Sequence, residues 1–169
     1  MKHILGPTSK STLTEVKEGD SQPNAVDLRL GKVFRICPNN FWVSNTEKKH
    51  RNSIELKPGK DGYYELTPGH YEVVMENIIH VGEGEAGWVI TRSTLNRNGC
   101  FLTSGLYDSF YHGAMAAVLH VTVANAYIRQ GTRIGQYLSF NAEMLSKYNG
   151  SYGFKEDGTM KEEEKKYHT

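Results

Sequence analysis

Hydrophobic residues in this chain occur only in short runs, broken by Gly, Pro, Asn or Asp every eight to twelve positions. That rhythm leaves no room for helices with a continuous apolar face and matches the strands and turns of an all-β sandwich or barrel. Helical periodicity is nearly absent, so helices are expected as short pieces at most. Strands are expected at residues 26–30, 32–36, 41–44, 63–66, 70–79, 87–91, 115–123 and 133–140. Several are rich in Val, Ile, Tyr and Trp, which fit a pleated, half-buried surface. Thr67-Pro68-Gly69 and Gln130-Gly131-Thr132 read as tight turns just ahead of strands.

A chain of 169 residues can bury one core. Residues 24–141 carry the strand pattern and form the expected domain. Residues 1–23 are polar, with Pro7 and Pro23, and read as an adaptable arm. Residues 142–169 begin with glycine and tyrosine and end in alternating charge, so the run after Lys155 reads as a solvated or mobile tail.

With 20 basic and 19 acidic residues the net charge is +1, which gives no bulk attraction to nucleic acid or to a membrane surface. Affinity for an anion has to be local. Cys37 and Cys100 are too few and too separated for a disulfide framework or a cysteine zinc site, and they fit a reduced, cytoplasmic compartment. The start, MKHILGPTSKSTLTEV, lacks the apolar run of a signal peptide.

Local anion affinity concentrates between Arg92 and Gly113, RSTLNRNGCFLTSGLYDSFYHG. Arg92, Ser93, Thr94 and Arg97 supply two guanidinium forks and two hydroxyls, donors suited to a polyphosphate. Asp108 and Tyr111 follow in a Gly-bounded turn. Alone, the first group reads equally as a strand end with surface ion pairs worth about 0–1 kcal/mol each. Asp108, alone, reads as a turn-capping residue. A carboxylate set beside an anion site is electrostatically costly unless a cation, a metal or a proton compensates it, which points to chemistry. Gln136 follows a tight turn and offers an amide that both donates and accepts.

The segments PNAVDLRLGKVFRI, ELTPGHYEVV, GWVITRSTLNRNG, SGLYDSFYHG, QGTRIGQYLSF and SKYNGSYGF, in that order, resemble the superfamily of deoxyuridine triphosphatases and deoxycytidine triphosphate deaminases. The resemblance implies a distorted jelly roll or β-barrel, a homotrimer with active sites between subunits, and a deoxyribonucleoside triphosphate as substrate. It also implies Mg²⁺ held through phosphates and water rather than by a carboxylate cage.

SGLYDSFYHG is similar to the triphosphatase branch. By that resemblance Asp108 orients the attacking water and Tyr111 packs against the deoxyribose, while Phe110 stands where an acidic residue is common. Ser93, Thr94 and Arg97 fall to the phosphates, Gln136 makes a further phosphate contact, and Arg92 is catalytic through orienting Asp108. Lys147 and Tyr148, in SKYNGSYGF, belong to a lid that folds over the nucleotide. Asp27 corresponds to an architectural position.

RSTLNR and SKYNGSYGF resemble the deaminase branch better. Deaminases of the superfamily carry a water-activating Glu five residues beyond the turn's final Gly; counting from Gly113 reaches Val118, which cannot transfer a proton. His70-Tyr71-Glu72 forms an H-x-E triplet, but the P-C-x-x-C partner of zinc deaminases is missing. The expected function is therefore dUTP diphosphatase. The alternatives are a dCTP deaminase or bifunctional enzyme, and a non-catalytic nucleotide-binding regulator.

Overall fold

Apolar residues recurring at about every second position commit the patterned segments to strands with one face turned inside. In the computed structural model, which describes residues 1–169, the strands are β1 (Thr12–Leu13), β2 (Val26–Ile36), β3 (Trp42–Val43), β4 (Lys48–Lys49), β5 (Ser53–Leu56), β6 (Tyr63–Leu66), β7 (Gly69–His80), β8 (Glu85–Thr91), β9 (Cys100–Thr103), β10 (His112–Val121), β11 (Ala126–Arg129) and β12 (Arg133–Asn141). A short helix, α1 (Ser93–Arg97), joins β8 to β9, and a 3₁₀ helix (Glu162–Tyr167) lies near the C-terminus.

The main sheet runs β8-β12-β2-β7-β10-β9, with β1 added on β7 and β5 on β2. Its two ends meet where Gly87 of β8 and Tyr107 exchange backbone hydrogen bonds of 3.1 and 2.7 Å, nearly closing a barrel. The fold is the distorted jelly roll expected. Leu28, Leu30, Val33, Val73, Met115, Leu119, Ile134 and Tyr137 fill the inside. Each of these aliphatic side chains contributes about 1.5–3 kcal/mol by leaving water.

Residues 26–36, expected as two strands parted by Gly31, form one strand with a register shift between Leu30 and Lys32. A Cβ at Gly31 would fall 2.9 Å from the Val74 carbonyl oxygen, so β2 and β7 approach there only because the side chain is absent. The strand expected at residues 41–44 shrinks to β3, which pairs with β4 in an exposed hairpin.

Both termini differ from expectation. The arm over residues 1–23 is docked: Ile4 is buried, the Lys2 N–H donates to the Ser139 carbonyl at 2.7 Å, and β1 pairs with β7. The charged tail is docked as well. Glu164 is fully buried, and its carboxylate accepts from the N–H groups of Ala114 at 2.7 Å and Gly153 at 3.0 Å. Tyr167 packs edge-on to Phe34 and donates to Glu72 at 2.6 Å. Charge alternation reads as solvation in a sequence; here one glutamate instead satisfies two buried backbone donors. Gly113 makes room for this, since a Cβ there would meet Gly153 Cα at 2.7 Å and the Glu164 carboxylate at 3.0 Å. No helix is long and apolar enough to cross a membrane.

Candidate active site

β9 feeds a hairpin whose far side ends in a turn over Asp108, Ser109, Phe110 and Tyr111, closed by a Tyr111 N–H to Asp108 carbonyl bond of 3.0 Å. Phe110 occupies the third position at φ 69, a left-handed conformation that favours Gly or Asn, so the turn stores strain of about 1–3 kcal/mol. Lys147 holds it from above, with Nζ 4.9 Å from the Phe110 ring. The constraint fixes where Asp108 and Tyr111 stand. Asp108 is exposed at the head of the turn and lines a cavity of about 380 Å³ with Lys147 and Tyr148.

Tyr111 turns inward and borders a larger cavity of about 690 Å³. Its hydroxyl donates to the Ala114 carbonyl at 2.7 Å, and its ring stands edge-on to Tyr107 and Tyr148. Burial, then the neighbouring Glu164, pushes its hydroxyl well above the usual tyrosine range, so it remains a neutral donor. The hairpin residues Thr103 to Tyr107 form one wall; Ala114, Ala116 and Val118 of β10 contribute to the floor. Tyr148 borders both cavities.

Two carboxylates also face the larger cavity, Glu72 and Glu163. Glu72 lies directly opposite Val118 across the β7–β10 ladder and is engaged by Lys166 Nζ at 2.7 Å and the Tyr167 hydroxyl at 2.6 Å. Glu163 lies 3.1 Å from His50 Nε2. Both are tied to the tail or to the loop opposite.

Arg92 does not reach Asp108. Its Nε lies 3.3 Å from Asp27 Oδ2, where a fully buried carboxylate also receives Gln136 Nε2 at 2.9 Å and Arg133 Nη1 at 3.4 Å. Burying an unpaired carboxylate is costly, so the two guanidinium groups and the amide are drawn to it and held in place. Arg133 completes the cluster and is the residue that sequence reasoning missed. A register shift between Arg133 and Gly135 breaks the strand alternation, so that Arg133 and Gln136 both face Asp27. Ser93, Thr94 and Arg97 stand exposed on α1, immediately after Arg92.

The expected site residues thus fall into two groups within one chain. Asp108, Tyr111, Lys147 and Tyr148 gather around the turn, whereas Arg92, Ser93, Thr94, Arg97 and Gln136 gather around Asp27 and α1. No member of the second group lines either cavity.

A family model described as dCTP deaminase-like matches residues 6–141. A deoxyuridine 5′-triphosphate nucleotidohydrolase of Methanocaldococcus jannaschii is 33% identical over 121 residues, covering 70% of this chain and 78% of that protein. The fold is similar to that of the 2′-deoxycytidine 5′-triphosphate deaminase from Agrobacterium tumefaciens, with a TM-score of 0.59 at 16% identity over 77% of this chain and 43% of the deaminase chain. It is also similar to the dUTPase of Staphylococcus bacteriophage 80alpha, with a TM-score of 0.53 at 10% identity over 85% of this chain and 97% of that one.

Proposed function

The chain belongs to the superfamily of dUTPases and dCTP deaminases, and on that premise we propose that it is a dUTP diphosphatase, hydrolysing dUTP to dUMP and pyrophosphate. The disposition of carboxylates carries the reading. Asp108 stands exposed on a strained turn, while Val118 occupies the cavity floor and the two cavity carboxylates are already bound to Lys166, Tyr167 and His50. A deaminating site needs a carboxylate free to move a proton at the ring, and neither carboxylate of the larger cavity, where Val118 lies, is free in that sense.

In this reading a water held by Asp108 attacks the α-phosphorus, and the β- and γ-phosphates leave as pyrophosphate. Tyr111 supports the sugar, and the hairpin backbone reads the base. Ser93, Thr94 and Arg97 bind phosphate oxygens together with Arg92 and Gln136, which Asp27 has already oriented. Lys147 and Tyr148 close the nucleotide-facing side. Because the two groups of residues do not share a cavity within one chain, the complete site takes its phosphate cluster from a second copy, in a homotrimer. The residues present fit a Mg²⁺ that arrives with the nucleotide: no three His, Cys, Asp or Glu side chains gather to hold a metal, whereas hydroxyl and carboxylate oxygens flank the turn and α1. When bound, that ion supplies charge neutralisation on the phosphates.

Incubation with dUTP, dCTP or dTTP and Mg²⁺, scoring pyrophosphate and ammonia separately, tests the proposal. Pyrophosphate from dUTP without ammonia from dCTP is expected, and Asp108→Asn should lower turnover by about 10²–10⁴-fold while dUTP still binds. Ammonia release from dCTP, or full turnover in the Asp108→Asn variant, would overturn it. Tight dUTP binding without pyrophosphate release would point to a regulator.

A further inference from the structure

Two pairs of histidines face each other directly across the β7–β10 ladder, His112 with His80 and His120 with His70. They are built differently. The His80 and His112 rings meet at 5.2 Å with a tilt of 52°. The His70 and His120 rings meet at 4.9 Å and 74°, which aims their Nδ1 atoms at one another across 2.8 Å. Two ring nitrogens at that distance share one proton between two lone pairs.

The surroundings of His120 fix its ring. Phe101, its partner on β9, stacks on it at 4.6 Å and 20°. Thr103 Oγ1 lies 2.9 Å from His120 Nε2. With the threonine oxygen accepting the Nε2 proton, His120 Nδ1 is left as a bare lone pair directed at His70. This is the arrangement a histidine metal ligand uses, with one nitrogen free and the other hydrogen-bonded to an orienting group. His70 is exposed, so its ring can turn without disturbing the core.

We propose that His70 and His120 chelate a divalent transition-metal ion of the zinc, nickel or copper class through their Nδ1 atoms, with Thr103 orienting His120 and water completing the coordination. Two imidazoles with no carboxylate or thiolate select this class over Mg²⁺ or Ca²⁺. Metal–nitrogen bonds of about 2.0–2.1 Å at a tetrahedral angle place the two nitrogens about 3.3 Å apart, so the pair opens by roughly half an ångström. On binding, the shared proton leaves the Nδ1 atoms and His70 takes a proton at its outward Nε2, so both ligands stay neutral. No third His, Cys, Asp or Glu joins them, which makes the site exchangeable rather than a closed structural one.

Titrating untagged protein with Zn²⁺ against a chromophoric chelator should give one ion per chain. His70→Ala and His120→Ala should each weaken binding at least 10-fold, Thr103→Val about 10-fold, and His80→Ala not at all. Nitrogen NMR of the wild-type histidine rings provides a readout that does not depend on the variants folding: the Nδ1 signals of His70 and His120 should shift on adding Zn²⁺. Unmoved Nδ1 signals, or binding that survives both His70→Ala and His120→Ala, would refute the site. Loss of binding in His80→Ala would do the same, by assigning the ion to the other pair.

Discussion

Replacing Glu85 by Gln should remove a pH-dependent anchor of the N-terminal arm. Glu85 is 1% exposed, and its carboxylate receives Lys2 Nζ at 2.7 Å, the Lys10 N–H at 2.8 Å, the Ser11 N–H at 3.1 Å and the Ser11 hydroxyl. Burial by itself would raise its pKa; the hydrogen bonds from Lys2, Ser11 and Lys10 outweigh burial and hold it down to about 2, against an ordinary 4.5. That difference corresponds to about 3 kcal/mol of folding stability. Because the folded-state pKa is the lower one, the contribution is complete above pH 4.5 and drains away as the pH falls towards 2. About 60% of it is gone by pH 3. Urea unfolding followed by the fluorescence of Trp42 and Trp88, at several pH values from 7 to 3, reads it directly. The wild-type advantage over Glu85→Gln should be about 2 kcal/mol larger at pH 7 than at pH 3, equivalent to a difference in Tm of about 4–8 °C. A gap that stays constant across that range would refute the reasoning, because it would mean that the ionised carboxylate contributes nothing beyond its shape.

Two further outcomes follow from buried carboxylates elsewhere. Glu164→Ala strands the Ala114 and Gly153 N–H groups, each costing about 1–3 kcal/mol, so trypsin should cut after Lys155 or Lys161 much faster than in the wild type; an unchanged cleavage rate would show that Tyr167 alone holds the tail. Asp27→Asn keeps the size of the side chain but removes the charge between Arg92 and Arg133, and should cost about 3 kcal/mol by chemical denaturation together with weaker dUTP binding; a variant as stable as the wild type would mean that the two arginines are held by other neighbours.

The strand rhythm fixed the fold class because period-two burial is a local property, visible wherever a strand is long enough to repeat it. It did not reveal β5, β9 or β11, whose segments SIEL, CFLT and AYIR carry no distinct signal of their own and become strands by pairing, β5 and β9 with the longer β2 and β10 and β11 with β6. The glycine between the two halves of β2 looked like a break, and proved to be where another backbone passes closely.

The site divides along the same line. Asp108, Tyr111 and Val118 could be singled out in the sequence because that reading rests on spacing within one hairpin and its following strand. The partner of Arg92 was not, since Asp27 lies 65 positions away in the chain and meets it only when β2 pairs with β12 beside β8. Arg133 joined that cluster through a bulge that no alternation pattern predicts, and the charged tail became a wall of the larger cavity because its Glu164 found two unpaired backbone donors. The sequence by itself determined a β-barrel and the turn that carries Asp108, since periodicity and short-range spacing are written along the chain. Only the tertiary structure decided which charges neutralise one another and which termini are anchored, because Coulomb interactions and desolvation act across space between residues that the sequence keeps far apart.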